Sequence, residues 1–360
     1  MSAIFGLAQM NTTEYDFITR ADQQLLYEAT NRYIQMQLAD IMRVESVFIE
    51  MQTEMVKERY QSPGGGRMSR RASGTRGAAV RAYGGWTVEY PLHDYGEQVA
   101  SDDVEYAYMT PPEYQRHVDT VLIRYVNERR HQILHRLLDD EAGSTEAFID
   151  RRKGTLAIYP LANGDAVTYP PVIGSDSEAT EDHYIETNYA ATAISDTNNP
   201  YITGREELEE HFGTPTGYGA VAAFINNAEV QETEDLKDFD PVEDNFIRSG
   251  SDVSLPQNLP NVPGRIVGRT NGVWVVEWRH IPATYQLFID LEEPAPLKER
   301  VDPADTGLPR GLAMVSTDEQ YPIVSAEWRA RFGLGCGNRL NGVVLELNTG
   351  GSYTVPATYD

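Results

Sequence analysis

The chain is predicted to be an α+β protein, and three features of the sequence lead there. Residues 14–60 carry apolar side chains at helical spacing, an uninterrupted helical pattern runs from 111 to 142, and the C-terminal third is mainly alternating, turn-punctuated strand sequence. At 360 residues the chain has room for about two domains, and a 41% hydrophobic fraction supports a substantial core. No apolar run approaches the roughly 18 residues of a membrane span, and no basic residue precedes Arg20, so a soluble chain without a signal segment is expected. A single cysteine, Cys336, excludes an intramolecular disulfide framework.

Taken in order, the residues to Thr13 are polar and aperiodic and read as an arm. From Glu14 to Tyr60, the residues Ile18, Leu25, Ala29, Tyr33, Ile34, Leu38, Ile41, Phe48 and Met55 predict one or two amphipathic helices. Periodicity alone serves a core helix pair and an arm docked on a neighbouring subunit equally. Because a Gly/Arg stretch follows at once, little nearby sequence is available to bury those faces, which favours an assembly element outside the monomer's core.

That stretch, from Pro63 to Gly77, is the strongest shift in composition. Arg67, Arg70, Arg71, Arg76 and Arg81 fall between Arg59 and Glu89 without a single Asp or Glu among them, and its Gly and Ser content prevents a packed core of its own. Trp86 to Tyr90 then alternates like a strand, so the basic run is the tip of a long hairpin. In a chain of net charge −25, two readings stand side by side: a loop whose partner is acidic surface on another copy, and a disordered surface loop.

Thr110-Pro111-Pro112-Glu113 is a capping box with prolines in the first turn, opening a helix predicted to end at Gly143. About 30 residues at 1.5 Å each span about 45 Å, the length of a spine. From Gly154 to Gly204 there is no Lys or Arg, and Thr203-Gly-Arg-Glu206 offers a second capping box. Val221–Ile225 fits a helix or a buried strand. Asn271-Gly272, between alternating runs, marks a hairpin, and strands are expected at 285–291, 313–316 and 342–347.

Recognisable chemistry is sparse. His131 and His135 lie one helical turn apart, but Gln132 stands where a zinc hydrolase needs a glutamate. Glu232 to Asp244 is rich in carboxylates yet lacks the spacing and glycine of a calcium loop. Gly333-Leu-Gly335-Cys-Gly337 is no dinucleotide fingerprint, Gly64–Gly66 lacks the lysine of a phosphate loop, and Cys336 has no histidine nearby. Arg70-Arg71-Ala-Ser73 has the form of a basophilic kinase site, as any flexible Arg/Ser loop does. No catalytic residues, metal or cofactor are assigned. The charge disfavours a protein that grips phosphates. Four lysines among 30 basic residues leave a preponderance of arginine, the side chain suited to multidentate interface pairing.

The order of helical arm, basic hairpin, spine helix, acidic loop, mixed domain and final strands resembles the major capsid proteins of tailed bacteriophages, the Hong Kong ninety-seven-type coat fold. Gly219–Glu229, Trp274–Tyr285 with Pro294–Arg300, and Arg331–Val344 carry the local likeness. The resemblance implies an N-terminal arm (1–60), an extended loop hairpin (61–105) and a peripheral domain (106–204) with spine helix 111–142 and acidic insertion 160–203. An axial domain (205–330) and closing strands with the C-terminus (331–360) complete it. It implies a coat protein assembling into hexamers and pentamers of an icosahedral shell. That shell encloses double-stranded DNA without sequence-specific contact, is built in the host cytoplasm, and is found in the virion with portal, scaffolding and decoration partners.

Arg67, Arg70, Arg71, Arg76, Arg81 and Trp86 of the loop, and Tyr33, Leu38, Ile41 and Phe48 of the arm, are the implied subunit contacts. Some members of the family join a loop lysine to an asparagine, for which Asn338 and Asn341 would be acceptors. The absence of lysine between Lys57 and Lys153 argues against cross-linking here. An encapsulin-like compartment and an acidic metal-dependent hydrolase are the alternatives.

Overall fold

The computed structural model describes residues 4, 17–18, 23–62, 68, 70–77, 83–141, 148–150, 154–156, 158–175, 177–211, 220–241, 262–320 and 323–359. In chain order, helix α1 (Gln23–Glu45) precedes strands β1 (Ile49–Thr53), β2 (Lys57–Ser62), β3 (Tyr83–Glu89) and β4 (His93–Asp102), then helices α2 (Asp103–Tyr108) and α3 (Pro111–Leu138). Strands β5 (Phe148–Asp150), β6 (Gly154–Leu156) and β7 (Tyr184–Glu186) lead to α4 (Pro200–Glu209), β8 (Val221–Ile225), α5 (Val230–Glu234) and β9 (Phe239–Pro241). The rest is β10 (Arg265–Thr270), β11 (Val273–Glu277), β12 (Tyr285–Asp290), β13 (Leu297–Arg300), β14 (Ala313–Gln320), β15 (Ile323–Cys336) and β16 (Val343–Glu346).

These elements form two compact units, each discontinuous in sequence. One comprises Met1–Arg43, Pro91–Gln132 and Arg300–Gly333; the other comprises Val44–Tyr90, Ile133–Glu299 and Leu334–Asp360. Their limits do not coincide with the divisions at 60, 105, 204 and 330 expected from the sequence, because α3 and β15 each pass from one unit into the other.

In the first unit, β15 pairs antiparallel with β14 and with β4, the latter from Ile323↔Asp102 to Phe332↔His93. Trp328, Ala330 and Phe332 of β15 lie in one buried cluster with Val118, Val121, Leu122 and Tyr125 of α3. Helix α1 adds Leu26, Ala29, Ile34 and Leu38 to the same cluster. The expectation that the arm stands outside the monomer's core is therefore corrected. The surface that buries its apolar face comes from residues some 80 and 290 positions away, beyond the reach of local sequence. Among the described residues the helical stretch expected to reach Tyr60 ends at Glu45, since the chain is extended in β1 and β2.

Helix α3 opens as its capping box predicts, with the Thr110 N–H donating to Glu113 Oε2 at 2.8 Å. It stops at Leu138, short of Gly143, where Asp139, Asp140 and Glu141 would place three negative charges at the negative end of the helix dipole. Tyrosine hydroxyls take over its last carbonyls: Tyr353 donates to Leu138 O at 2.5 Å and Tyr184 to Asp139 O at 2.8 Å.

The second unit is built on a seven-stranded sheet in the order β7-β16-β12-β8-β11-β10-β9. Val221–Ile225 is its central strand, buried at every residue, with β11 parallel on one side and β12 antiparallel on the other. Asn271 and Gly272 both take positive φ in the β10–β11 turn, the conformation that Asn-Gly favours. Helix α4 begins at Pro200 under an Asn199 cap, so the Thr203 capping box is corrected. Asn199 Oδ1 accepts the Tyr201 N–H at 3.0 Å, and a proline in the first turn costs no hydrogen bond.

The burial of α1 carries a direct expectation. Leu38→Ala should lower the unfolding free energy by about 2–5 kcal/mol, the range for a buried leucine truncation. Chemical denaturation of the unassembled protein measures it, and a change under 0.5 kcal/mol would restore the detached-arm view.

Candidate assembly surfaces

Strands β2 and β3 pair antiparallel from Lys57↔Glu89 to Ser62↔Tyr83 and form the foot of the basic hairpin. Their aromatic residues lie in a line. Trp86 is stacked on Tyr60 at 5.2 Å and tilted against Tyr169 at 5.2 Å, with its indole N–H donating to Gly337 O at 3.3 Å. A cation closes each end. Lys298 Nζ lies 5.6 Å from the Tyr60 ring centre and 3.1 Å from Glu58 Oε2, while the Arg339 guanidinium lies 5.7 Å from the Tyr169 ring centre.

Arg339 is fully buried and its donors are well used. Nε donates to Pro160 O at 2.8 Å, Nη1 to Asp165 Oδ2 at 2.9 Å, and Nη2 to Leu161 O and Asn163 Oδ1 at 3.0 Å. The acidic segment after Pro160 is thereby tied to the closing segment.

Trp86, expected to touch a neighbouring subunit, is only 4% exposed and packs with Val88, Tyr90, Ala162, Tyr169 and Leu340 of its own chain. Its role is corrected to that of an anchor, because the largest apolar ring of the hairpin finds a closed pocket at home. Arg70, Arg71 and Arg76 are exposed around a turn in which the Thr75 N–H donates to Ala72 O. Arg67 and Arg81 lie outside the described residues.

The arm residues are likewise engaged within the chain. Leu38 is buried, Ile41 packs partly against the same cluster, and Tyr33 donates its hydroxyl to Asp119 Oδ1 at 2.9 Å. Phe48 stacks on Trp278 at 5.3 Å in the second unit. Leu38 and Phe48, buried at home, are corrected from subunit contacts to core residues, while Tyr33 and Ile41 keep part of their surface exposed.

The remaining candidate chemistry is structural. Cys336 is buried, which pushes its thiol up to about 12, far from a nucleophile's range. The glycines flanking it serve close packing, since a Cβ on Gly335 would come within 2.7 Å of the Tyr90 ring. His135 Nδ1 lies 2.6 Å from Tyr359 O, a carbonyl that accepts its proton. Among the described residues no three potential ligands converge on a metal position. Asn341 is buried, donating to Asp290 O at 2.9 Å and accepting the Asp290 N–H, and Asn338 donates to Pro294 O at 3.0 Å.

Sequence reading missed Glu229. It is buried beside β12, accepting from Thr284 N at 2.8 Å and Gln286 Nε2 at 3.0 Å, and burial raises it to about 7.

No family model matches the chain, and no curated protein matches it. Solved structures do. One from Mycobacterium phage Patience is 17% identical over 97% of this chain and 95% of its own, with a TM-score of 0.67. The asymmetric unit of the mature capsid of bacteriophage PhiM1 is 10% identical over 84% of this chain and 86% of its own, with a TM-score of 0.51. The mixed helix-and-sheet fold of this chain is thus shared with these phage structures, as the order of elements in the sequence suggests.

Two measurements probe these sites. Trp86→Ala should cost about 3–5 kcal/mol and free the hairpin foot, read by denaturation and by faster amide exchange across β2 and β3. The raised Glu229 stabilises the fold fully below its ordinary value of 4.5, and that stabilisation is lost as pH rises through about 7. Glu229→Gln should therefore exceed wild type in stability at pH 8, by an amount on the order of 3 kcal/mol, and match it near pH 4.5. Parallel denaturation curves at the two pH values decide this.

Proposed function

We propose that this chain is a coat protein whose copies assemble, as hexamers and pentamers, into an icosahedral shell enclosing double-stranded DNA. The observation that carries the reading is likeness of fold over nearly the whole chain to a phage structure, supported by a second to a mature capsid. The residues suit the role. Exposed Arg70, Arg71 and Arg76 sit beyond the hairpin foot in a chain of net charge −25, so their acceptors are carboxylates on a neighbouring copy. Each such pair at a surface contributes only about 0.2–1 kcal/mol, and repetition around a shell multiplies it.

In this reading the hairpin lies across a neighbour, the axial residues converge at capsomer centres, and the role is structural, not catalytic. Acidic inner surface does not adhere to packaged DNA, the field being screened beyond about 10 Å. Portal and scaffolding proteins are the further partners such a shell calls for, with the host cytoplasm as the place of synthesis and the virion as the destination. Among the described residues no helix is long and apolar enough to cross a membrane.

Electron microscopy of the purified protein tests the reading: closed particles are expected, and a persistent small oligomer would overturn it. Replacing Arg67, Arg70, Arg71, Arg76 and Arg81 together by Gln should leave the monomer folded while sharply reducing particle yield. Wild-type yield at physiological salt would remove the basic hairpin from the assembly contacts. Boiled in SDS with reductant, particles should run as one band near 40.3 kDa. The loop offers no amine nucleophile, and Asn338 and Asn341 are committed to internal hydrogen bonds. A ladder of multiples would show covalent joining by another route.

A further inference from the structure

Copies of this chain that converge around an axis face an electrostatic difficulty. Residues 205–299 contain 18 acidic and seven basic side chains, so like surfaces repel unless the contact pairs unlike ones. A closed ring is made by head-to-tail contact, in which one patch meets a different patch on the next copy. The β10–β11 hairpin presents two such patches at opposite ends.

At one end, where Arg265 pairs with Glu277, an open cleft of about 510 Å³ is lined by Asn227, Arg265, Glu277, Trp278, Arg279 and His280. Arg265 and Arg279 flank the single carboxylate of Glu277, at 2.9 and 3.7 Å. Their side chains remain 71% and 83% exposed, so the cleft carries net positive charge with donors to spare. At the other end, beside the Asn271-Gly272 turn, β9 pairs with β10 through Asp240↔Arg269. Glu234, Asp235 and Asp238, in the segment leading into β9, and Asp240 of β9 are exposed. Lys237 among them is held by Asp196 at 3.0 Å, and Arg269 lies over the Trp274 ring, which leaves the segment net negative. Five residues of strand separate the two ends, about 17 Å.

We propose that these ends are the two halves of one head-to-tail contact: the Arg265–Arg279–His280 cleft of one copy receives the Glu234–Asp240 segment of the next. The inference rests on the shell reading and names a surface within it. A guanidinium cleft with one internal carboxylate suits a short run of carboxylates, and the run on the same chain lies too far along the hairpin to fill its own cleft. Every copy therefore offers one cleft and one acidic segment, the stoichiometry a ring requires.

The test is charge exchange in the full chain, with near-UV circular dichroism as the folding control and particle yield read by sedimentation and microscopy. D235K/D238K alters only exposed side chains, and R279E leaves Arg265 to pair with Glu277. Each variant alone is expected to reduce yield at least about tenfold at low salt, and the chain carrying all three substitutions to recover to within about twofold of wild type. Should R279E fold poorly, R279Q takes its place with a smaller loss expected. Wild-type yield from D235K/D238K overturns the proposal, as does a triple variant no better than its parents. A wild-type chain that never forms particles fails the shell reading itself, an outcome distinct from assembly that ignores these charges.

Discussion

Three aromatic rings closed at both ends by cations hold together the parts of the second unit that the chain brings from farthest apart. Lys298, Tyr60, Trp86, Tyr169 and Arg339 come from the strand before the boundary, the two hairpin strands, the acidic segment and the closing segment. Tyrosine and tryptophan faces are electron-rich, so each cation is attracted to the ring beside it while its remaining donors satisfy carboxylates and carbonyls. A lysine at position 339 would supply one compact ammonium in place of a planar fork with four bonded acceptors. This stack packs the hairpin foot against the acidic and closing segments.

Charge in this protein is sorted by depth. Arg129 and Arg339 are almost wholly buried, the former with its guanidinium 4.9 Å from the Phe332 ring centre and Nη1 donating to the Tyr125 hydroxyl. Buried guanidinium is tolerated only when its donors are matched, and removal of the partners is what costs most. The acidic excess lies mainly outside, where water and salt solvate it. Glu229, Asp290, Glu299 and Glu346 are among the acids that lie inside, and burial raises Glu229, beside β12, to about 7. Carboxylates at the surface are thereby left accessible as hydrogen-bond acceptors.

Passage of the chain between units has its own consequence. Helix α3 gives Val118, Val121, Leu122 and Tyr125 to one core and Ile133, Leu134, Leu137 and Leu138 to the other. Both segments belong to one continuous helix. Helix α3 and strand β15 are thus shared by the two units.

Much of the architecture was legible locally. The Thr110–Glu113 box, the Asn-Gly turn and the alternating runs at 273–277 and 285–290 are signals written within a few residues, and periodicity identified the spine. The basic hairpin was equally plain, because a run of five arginines without a carboxylate is a property of composition. Tertiary structure alone decided where the apolar faces go. Leu38, Phe48 and Trp86 read as unpartnered because their partners lie far away in the chain, and burial depends on contacts that no local window contains. The same holds for Glu229 and Arg339: isolated charges in the sequence, each acquires its character from donors or acceptors that only folding assembles around it.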